Sequence, residues 1–180
     1  MELVFTHDKS IIAYLIRYFT KRSWLKSAQT DHVALRYSGD ENKWMVESMP
    51  QGFLPNWWTR FLKQHIVYRR FEVLGTDEAL LEQIIDDFID EFIGEKYDFL
   101  GATGMIIVLV WYWITGKKIK NPMHRKSELT CTEVVYKIFD KVREKTGITY
   151  FNQQDPNMIF PDELFDECIV KTNLFKDLGV

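Results

Sequence analysis

Thr130-Cys131-Thr132-Glu133-Val134-Val135 sets a cysteine at a helix start. A threonine followed three residues later by glutamate is a capping box, in which each side chain satisfies the other's backbone N–H. Val134, Val135, Ile138, Phe139 and Val142 then recur at helical spacing and mark the buried face of a helix from about Thr130 to Lys145. Cys131 is then the first helical residue. The positive end of the helix dipole and unpaired N–H groups lie beside its sulfur, a setting that favours a thiolate. The same N–H groups can hold an oxyanion. The alternative left open by this spacing is a small cysteine filling the core.

A cysteine nucleophile needs a base. In Asp31-His32-Val33-Ala34-Leu35-Arg36-Tyr37, residues alternate, with Val33, Leu35 and Tyr37 on one face and His32, Ala34 and Arg36 on the other. Ser38-Gly39-Asp40-Glu41-Asn42 is turn chemistry, and Lys43-Trp44-Met45-Val46-Glu47-Ser48 alternates again. A hairpin centred on Gly39-Asp40 sets His32 opposite Glu47 to within one residue. Glu47 is thereby placed to orient the imidazole, as a carboxylate does in a catalytic triad. An ordinary exposed strand pair has the same pattern, and contact between His32 and Cys131 requires the fold.

Outward from these two segments, Ile11, Ile12, Leu15, Ile16 and Phe19 predict a helix ending at Lys21-Arg22. Met49-Pro50-Gln51-Gly52 breaks the strand, and Trp57, Trp58, Phe61 and Leu62 suggest a short helix. Ile66 to Val73 reads as a strand. Leu80, Leu81, Ile84, Ile85, Phe88, Ile89, Phe92 and Ile93 line one helical face, which Gly94 closes. Phe99 to Thr115 contains no charge and is followed by Lys117-Lys118-Ile119-Lys120. It barely reaches spanning length and reads as a buried or membrane-contacting helix. Ile148 to Phe151 reads as a short strand, and Pro161-Asp162-Glu163-Leu164 opens a last helix or turn. Helices and strands do not alternate regularly, which favours a single α+β domain over residues 1–180 with a small antiparallel sheet and packed helices.

Composition narrows the function classes. Among 180 residues, 46% are apolar and 15% aromatic, so the chain can build a core without disulfide or metal staples. A net charge of −3 disfavours nucleic acid as main partner. Two cysteines are too few for a disulfide framework or zinc cluster. Cys168, among Asp166 and Glu167, reads as structural. His7 and His65 read as loop residues, and no spacing supports a metal site. His124 lies in the basic loop from Lys117 to Glu128, a solvated loop or a site for anionic groups. No cofactor is expected. Met1 to Ser10 lacks an apolar signal core, so a cytoplasmic location is the default expectation. Trp57-Trp58-Phe61 and Trp111-Tyr112-Trp113 suit core packing, an apolar substrate or a membrane surface.

In this order the segments resemble the permuted NlpC-type papain-like family that includes the YiiX-like proteins. The matching pieces are Ile11 to Thr20 with Asp31-His32-Val33-Ala34-Leu35, then Met45-Val46-Glu47-Ser48-Met49-Pro50 and Tyr97-Asp98-Phe99-Leu100-Gly101. Thr130 to Val135 and Pro161 to Leu164 complete the series. The resemblance implies a papain-like fold whose circular permutation puts the histidine strand before the cysteine helix. It implies Cys131 as nucleophile, His32 as general base and Glu47 as third member, with Tyr97 near the oxyanion. Asp31 stands where that family usually has a small or hydroxyl residue. Thr132 replaces its common serine, and the apolar stretch between Tyr97 and Cys131 is long. The implied activity is cysteine hydrolysis of an amide or ester, as a peptidase or amidase acting for example on cell-wall peptides. Lipid acyl transfer or thioester cleavage of the lecithin:retinol acyltransferase-like type is the alternative, as is a non-enzymatic, membrane-associated interaction protein.

Overall fold

Alternation and turn chemistry produce more sheet than the sequence reading expects. The computed structural model describes residues 1–7, 11–21, 30–37, 44–49, 52–123, 129–152 and 159–180. Six strands form one antiparallel sheet: β1 (Glu2–His7), β2 (His32–Arg36), β3 (Trp44–Met49), β4 (Gly52–Trp57), β5 (Ile66–Val73) and β6 (Phe175–Gly179). Their order is β4-β3-β2-β1-β5-β6, so β1 and β2 lie at the centre. The described helices are α1 (Ile11–Thr20), α2 (Trp58–Gln64), α3 (Glu78–Phe92), α4 (Phe99–Thr115), α5 (Cys131–Thr146) and α6 (Pro161–Val170). The α+β expectation agrees with this architecture, but the sheet has six strands where the sequence reading expects four.

The sequence reading leaves β1, β4 and β6 unmarked. β1 is buried on both sides, so Leu-Val-Phe-Thr shows no alternation. Ile148 to Phe151 is not a strand. Its side chains fill the core instead: Tyr150 is almost fully buried and its hydroxyl donates to the Leu74 carbonyl, while Lys171 Nζ donates to the Tyr150 carbonyl at 2.8 Å. Ile93 is also corrected. It caps α3 and is exposed, because the helix stops at Phe92, one residue before the apolar stripe does.

One sheet face packs on α3 and α5. Leu3, Phe5, Val33, Leu35, Val46 and Phe71 meet Ile84, Ile85, Phe88, Val134, Ile138 and Phe139 there. The other face carries Val4, Ala34 and Met45 against Phe61 of α2. α1 and α4 form a separate small core of Ile16, Met105, Val108 and Leu109, joined by Phe160. The first two cores trap β2 and β3 between α5 and α2, which places the site.

Candidate active site

Strand alternation puts His32 and Glu47 on the α2 side of the sheet, both buried. The hairpin register differs from the expectation. Leu35 pairs with Val46 and Arg36 with Met45, so continuing the register puts Glu47 opposite Ala34, two residues from the position facing His32. An offset of two keeps both side chains on one face, whereas an offset of one would separate them. The diagonal pair meets directly, with His32 Nε2 3.1 Å from Glu47 Oε2. The turn expected at residues 38–42 lies outside the described residues.

The capping box at the start of α5 forms as read. The Glu133 N–H donates to Thr130 Oγ1 at 3.3 Å and the Thr130 N–H donates to Glu133 Oε2 at 2.9 Å. Cys131, 5% exposed, is the first residue of the helix, and its charge acts on the His32 imidazole. Burial by itself would lower the His32 pKa. The charge of Cys131, aided by Glu47, outweighs it and holds His32 raised to about 10. Glu47 moves the opposite way. Burial would raise its pKa, but the hydrogen bonds from His32 and Asn56, with the His65 ring close by, hold it down at about 2. The arrangement favours an imidazolium between sulfur and carboxylate.

Backbone anchors fix these elements relative to one another. Ser48, beside Glu47, donates from Oγ to the Leu129 carbonyl at 2.7 Å, two residues before Cys131. Leu129 also bridges to Tyr97, whose segment accepts the Leu129 N–H at the Lys96 carbonyl, 3.0 Å away. Tyr97, half-buried, is thereby joined through its backbone to the segment just before α5. The Thr132 hydroxyl points elsewhere, donating to the Ile159 carbonyl at 3.0 Å. Asp98 caps α4 by accepting the Gly101 N–H at 2.6 Å. A Cβ on Gly101 would collide with that carboxylate, which explains the Tyr97-Asp98-Phe99-Leu100-Gly101 pattern. Asp31, the unusual residue beside His32, is ion-paired with Arg17 of α1.

Sequence reasoning missed two neighbours of Glu47. Asn56 on β4 donates from Nδ2 to Glu47 Oε1 at 2.8 Å. His65, expected in a polar loop, is buried between α2 and β5. Its ring stacks on His32 with centroids 4.8 Å apart and planes 7° from parallel, and packs on Phe61 at 4.5 Å. His65 Nε2 lies 3.4 Å from Glu47 Oε2, without the alignment of a hydrogen bond. One donor atom each from His32, Glu47 and His65 fits within 4.8 Å, a potential metal-ligand set that residue spacing had concealed. His65 directly follows Phe61-Leu62-Lys63-Gln64 at the end of a helix, so nothing local distinguishes it from a surface histidine. A cleft of about 50 Å³ opens beside Glu47, lined also by Met49, Leu54, Pro55, Asn56, Arg60 and Gln64.

The remaining candidates fall apart from this cluster. His7 ends β1 and packs against Tyr68 with the rings tilted, 5.1 Å between centroids. Cys168 is buried in α6, and burial followed by the Glu167 charge pushes its thiol pKa well up. That environment agrees with a structural reading. His124 lies outside the described residues. No described helix is long and apolar enough to cross a membrane.

No family model matches the chain, and no curated protein matches it either. Among solved structures, it is similar in fold to YiiX from Escherichia coli O157:H7, which is described as a metalloprotein. The TM-score is 0.56 at 12% identity, covering 99% of this chain and 86% of that one. The likeness extends over nearly the whole chain and supports a YiiX-like α+β fold.

Proposed function

We propose that the protein is a cysteine hydrolase acting on an amide or ester bond through Cys131, His32 and Glu47. The observation that carries this reading is the buried His32, hydrogen-bonded to the Glu47 carboxylate and subject to the charge of Cys131 at the start of α5. With Nε2 held by Glu47, Nδ1 is the nitrogen left to take the thiol proton. The thiolate attacks the carbonyl carbon, and the C–N or C–O bond breaks as the imidazolium protonates the departing amine or alcohol. Water, losing a proton to His32, then attacks the thioester. A carboxylic acid leaves and the thiol is restored. In the first turn of α5 the capping box uses the Glu133 N–H, and the Val134 N–H closes on the Thr130 carbonyl. The Cys131 and Thr132 N–H groups are then the donors assigned to the oxyanion. Thr132 thus contributes its backbone, and Tyr97 is joined to the segment just before α5. The substrate is a peptide or an acyl ester.

Iodoacetamide at pH 6, with peptide mapping, tests this reading. Cys131 labels at least tenfold faster than Cys168, and His32→Ala removes the difference. Equal, slow labelling of both cysteines would overturn the proposal.

A second reading rests on a different observation: His65 is 5% exposed and neither ring nitrogen has a hydrogen-bond partner. The fold neighbour is a metalloprotein, and the donors present here suit a divalent metal. Ligands about 2.0–2.2 Å from a tetrahedral zinc stand roughly 3.3–3.5 Å apart, close to the 3.1 and 3.4 Å separating the histidine nitrogens from Glu47 Oε2. His32, Glu47 and His65 would hold the ion, which supplies Lewis-acid chemistry when bound. Because the rings stack in parallel, one must turn for both lone pairs to converge. Such an ion would displace the hydrogen bond between His32 and Glu47, so the two readings exclude one another at any instant. Titration with cobalt(II), followed by its visible absorption, separates them: tight one-to-one binding lost in His65→Phe supports the metal, and featureless spectra remove it.

A further inference from the structure

α1 and α4 turn apolar stripes outward. On α1, Ile11, Tyr14 and Tyr18 are 79%, 59% and 40% exposed, at spacings of three and four residues. On α4, Ile107, Trp111 and Ile114 form a similar stripe, with Trp113 beside it; Ile114 is 71% exposed. Ring contacts join the helices, since Tyr14 stacks on Tyr18, Tyr18 meets Phe19, and Phe19 lies 6.2 Å from Trp113. The inner sides of both helices are already packed on each other, so these outer side chains are surplus to the core. Scattered exposed apolar residues are ordinary, but a joined patch of this kind marks a contact surface.

Charge identifies the occupant. Neither helix contains an acidic residue. Lys21 follows α1, while Lys117, Lys118 and Lys120 follow α4, and all four are exposed. Lys118 also pairs with Glu163. We infer that this face docks on the surface of an anionic phospholipid bilayer. Tryptophan and tyrosine place an apolar ring and a polar edge at the headgroup level, and lysines beside them attract anionic lipids. α4 has 17 residues and lies along the interface without crossing it. A second copy seated on this face would bring the lysines of both chains together, so the charge favours a bilayer over self-association. The inference does not depend on the chemistry of Cys131. It gives the α4 N-terminus, hydrogen-bonded through the Asp98 N–H to the Leu129 carbonyl just before Cys131, a membrane-side position.

Flotation of the full chain with phosphatidylcholine vesicles, with and without phosphatidylserine, tests the inference. The protein floats with the phosphatidylserine vesicles and is released by salt. Trp113→Ser with Ile114→Ser abolishes flotation while leaving the thermal unfolding midpoint unchanged, and each of Lys117→Ser and Lys120→Ser lowers partitioning about fivefold. Protein remaining at the bottom with both vesicle types would overturn the inference. Equal flotation with both would overturn the anionic assignment. A dimer that dissociates in Ile114→Ser, without flotation, would assign the face to self-association instead.

Discussion

Asp162 Oδ1 accepts hydrogen bonds from both the N–H and the hydroxyl of Thr30, at 3.0 and 3.2 Å. Thr30 stands two residues before His32, and Asp162 belongs to the first turn of α6. The preceding residues also reach the other half of the site, because the Ile159 carbonyl accepts the Thr132 hydroxyl. The start of α6 therefore ties the histidine strand and the cysteine helix to one support.

Removing that support has two measurable effects. Asp162→Ala leaves a buried N–H and hydroxyl unpaired, a loss of about 1–3 kcal/mol. Urea unfolding reads this directly. Iodoacetamide labelling of Cys131 slows at the same time, because His32 loses its fixed distance from the sulfur. Normal labelling in a destabilised variant would mean that α6 supports the fold but not the site.

The opposite shifts of His32 and Glu47 define a pH window for stability in protein freed of metal by a chelator. His32 is held protonated up to about 10, against an ordinary 6.5, so its contribution is complete below 6.5 and is lost as pH rises through 10. Glu47 is held down at about 2, against 4.5, so its contribution is complete above 4.5 and is lost as pH falls through 2. Unfolding free energy from these two groups is greatest between 4.5 and 6.5. Urea titrations of wild type and His32→Gln across this range check it. A wild-type curve that runs parallel to the variant from pH 6.5 to 10 would contradict the assignment.

Gly101 permits the cap at the start of α4. A methyl group there would collide with the Asp98 carboxylate that accepts the Gly101 N–H. Although alanine is the better helix former by about 1 kcal/mol, Gly101→Ala destabilises the protein by roughly 1–3 kcal/mol, because overpacking outweighs propensity here. A thermal unfolding midpoint above wild type would show that Asp98 moves aside at little cost.

His65→Phe keeps a ring between His32 and Phe61 but removes both nitrogens. If Cys131 chemistry is the principal activity, thiol labelling stays within about threefold of wild type, less than the tenfold that 1.4 kcal/mol of barrier would produce. Loss of turnover together with loss of cobalt binding, with labelling unchanged, would transfer the principal role to the metal. Activity assays alongside absorption spectra distinguish these outcomes.

The two halves of the site differ in how they could be read. The place of Cys131 at the helix start was legible because a capping box is local: two residues three positions apart, Thr130 and Glu133, declare it. The shared face of His32 and Glu47 was legible from a period of two, although the register was off by two residues, because an even offset leaves the face unchanged and so a period of two does not fix it. His65 and Asn56 were not legible. They come from elements that meet Glu47 only through the sheet, and neither sits in a repeating pattern. β4 and β6 were missed because Gly52-Phe53-Leu54-Pro55-Asn56-Trp57 and Phe175-Lys176-Asp177-Leu178-Gly179 carry the glycine, proline and acidic residues that usually mark turns. Both are edge strands, where such residues are tolerated.

The bond from Thr30 to Asp162 spans 132 positions, which gives biosynthesis an order. While the chain is still leaving the ribosome, the imidazole strand emerges early, and the sulfur follows only after most of the sheet. The strap that holds them together comes later still. Until then the segments that carry His32 and Cys131 lack the support of α6.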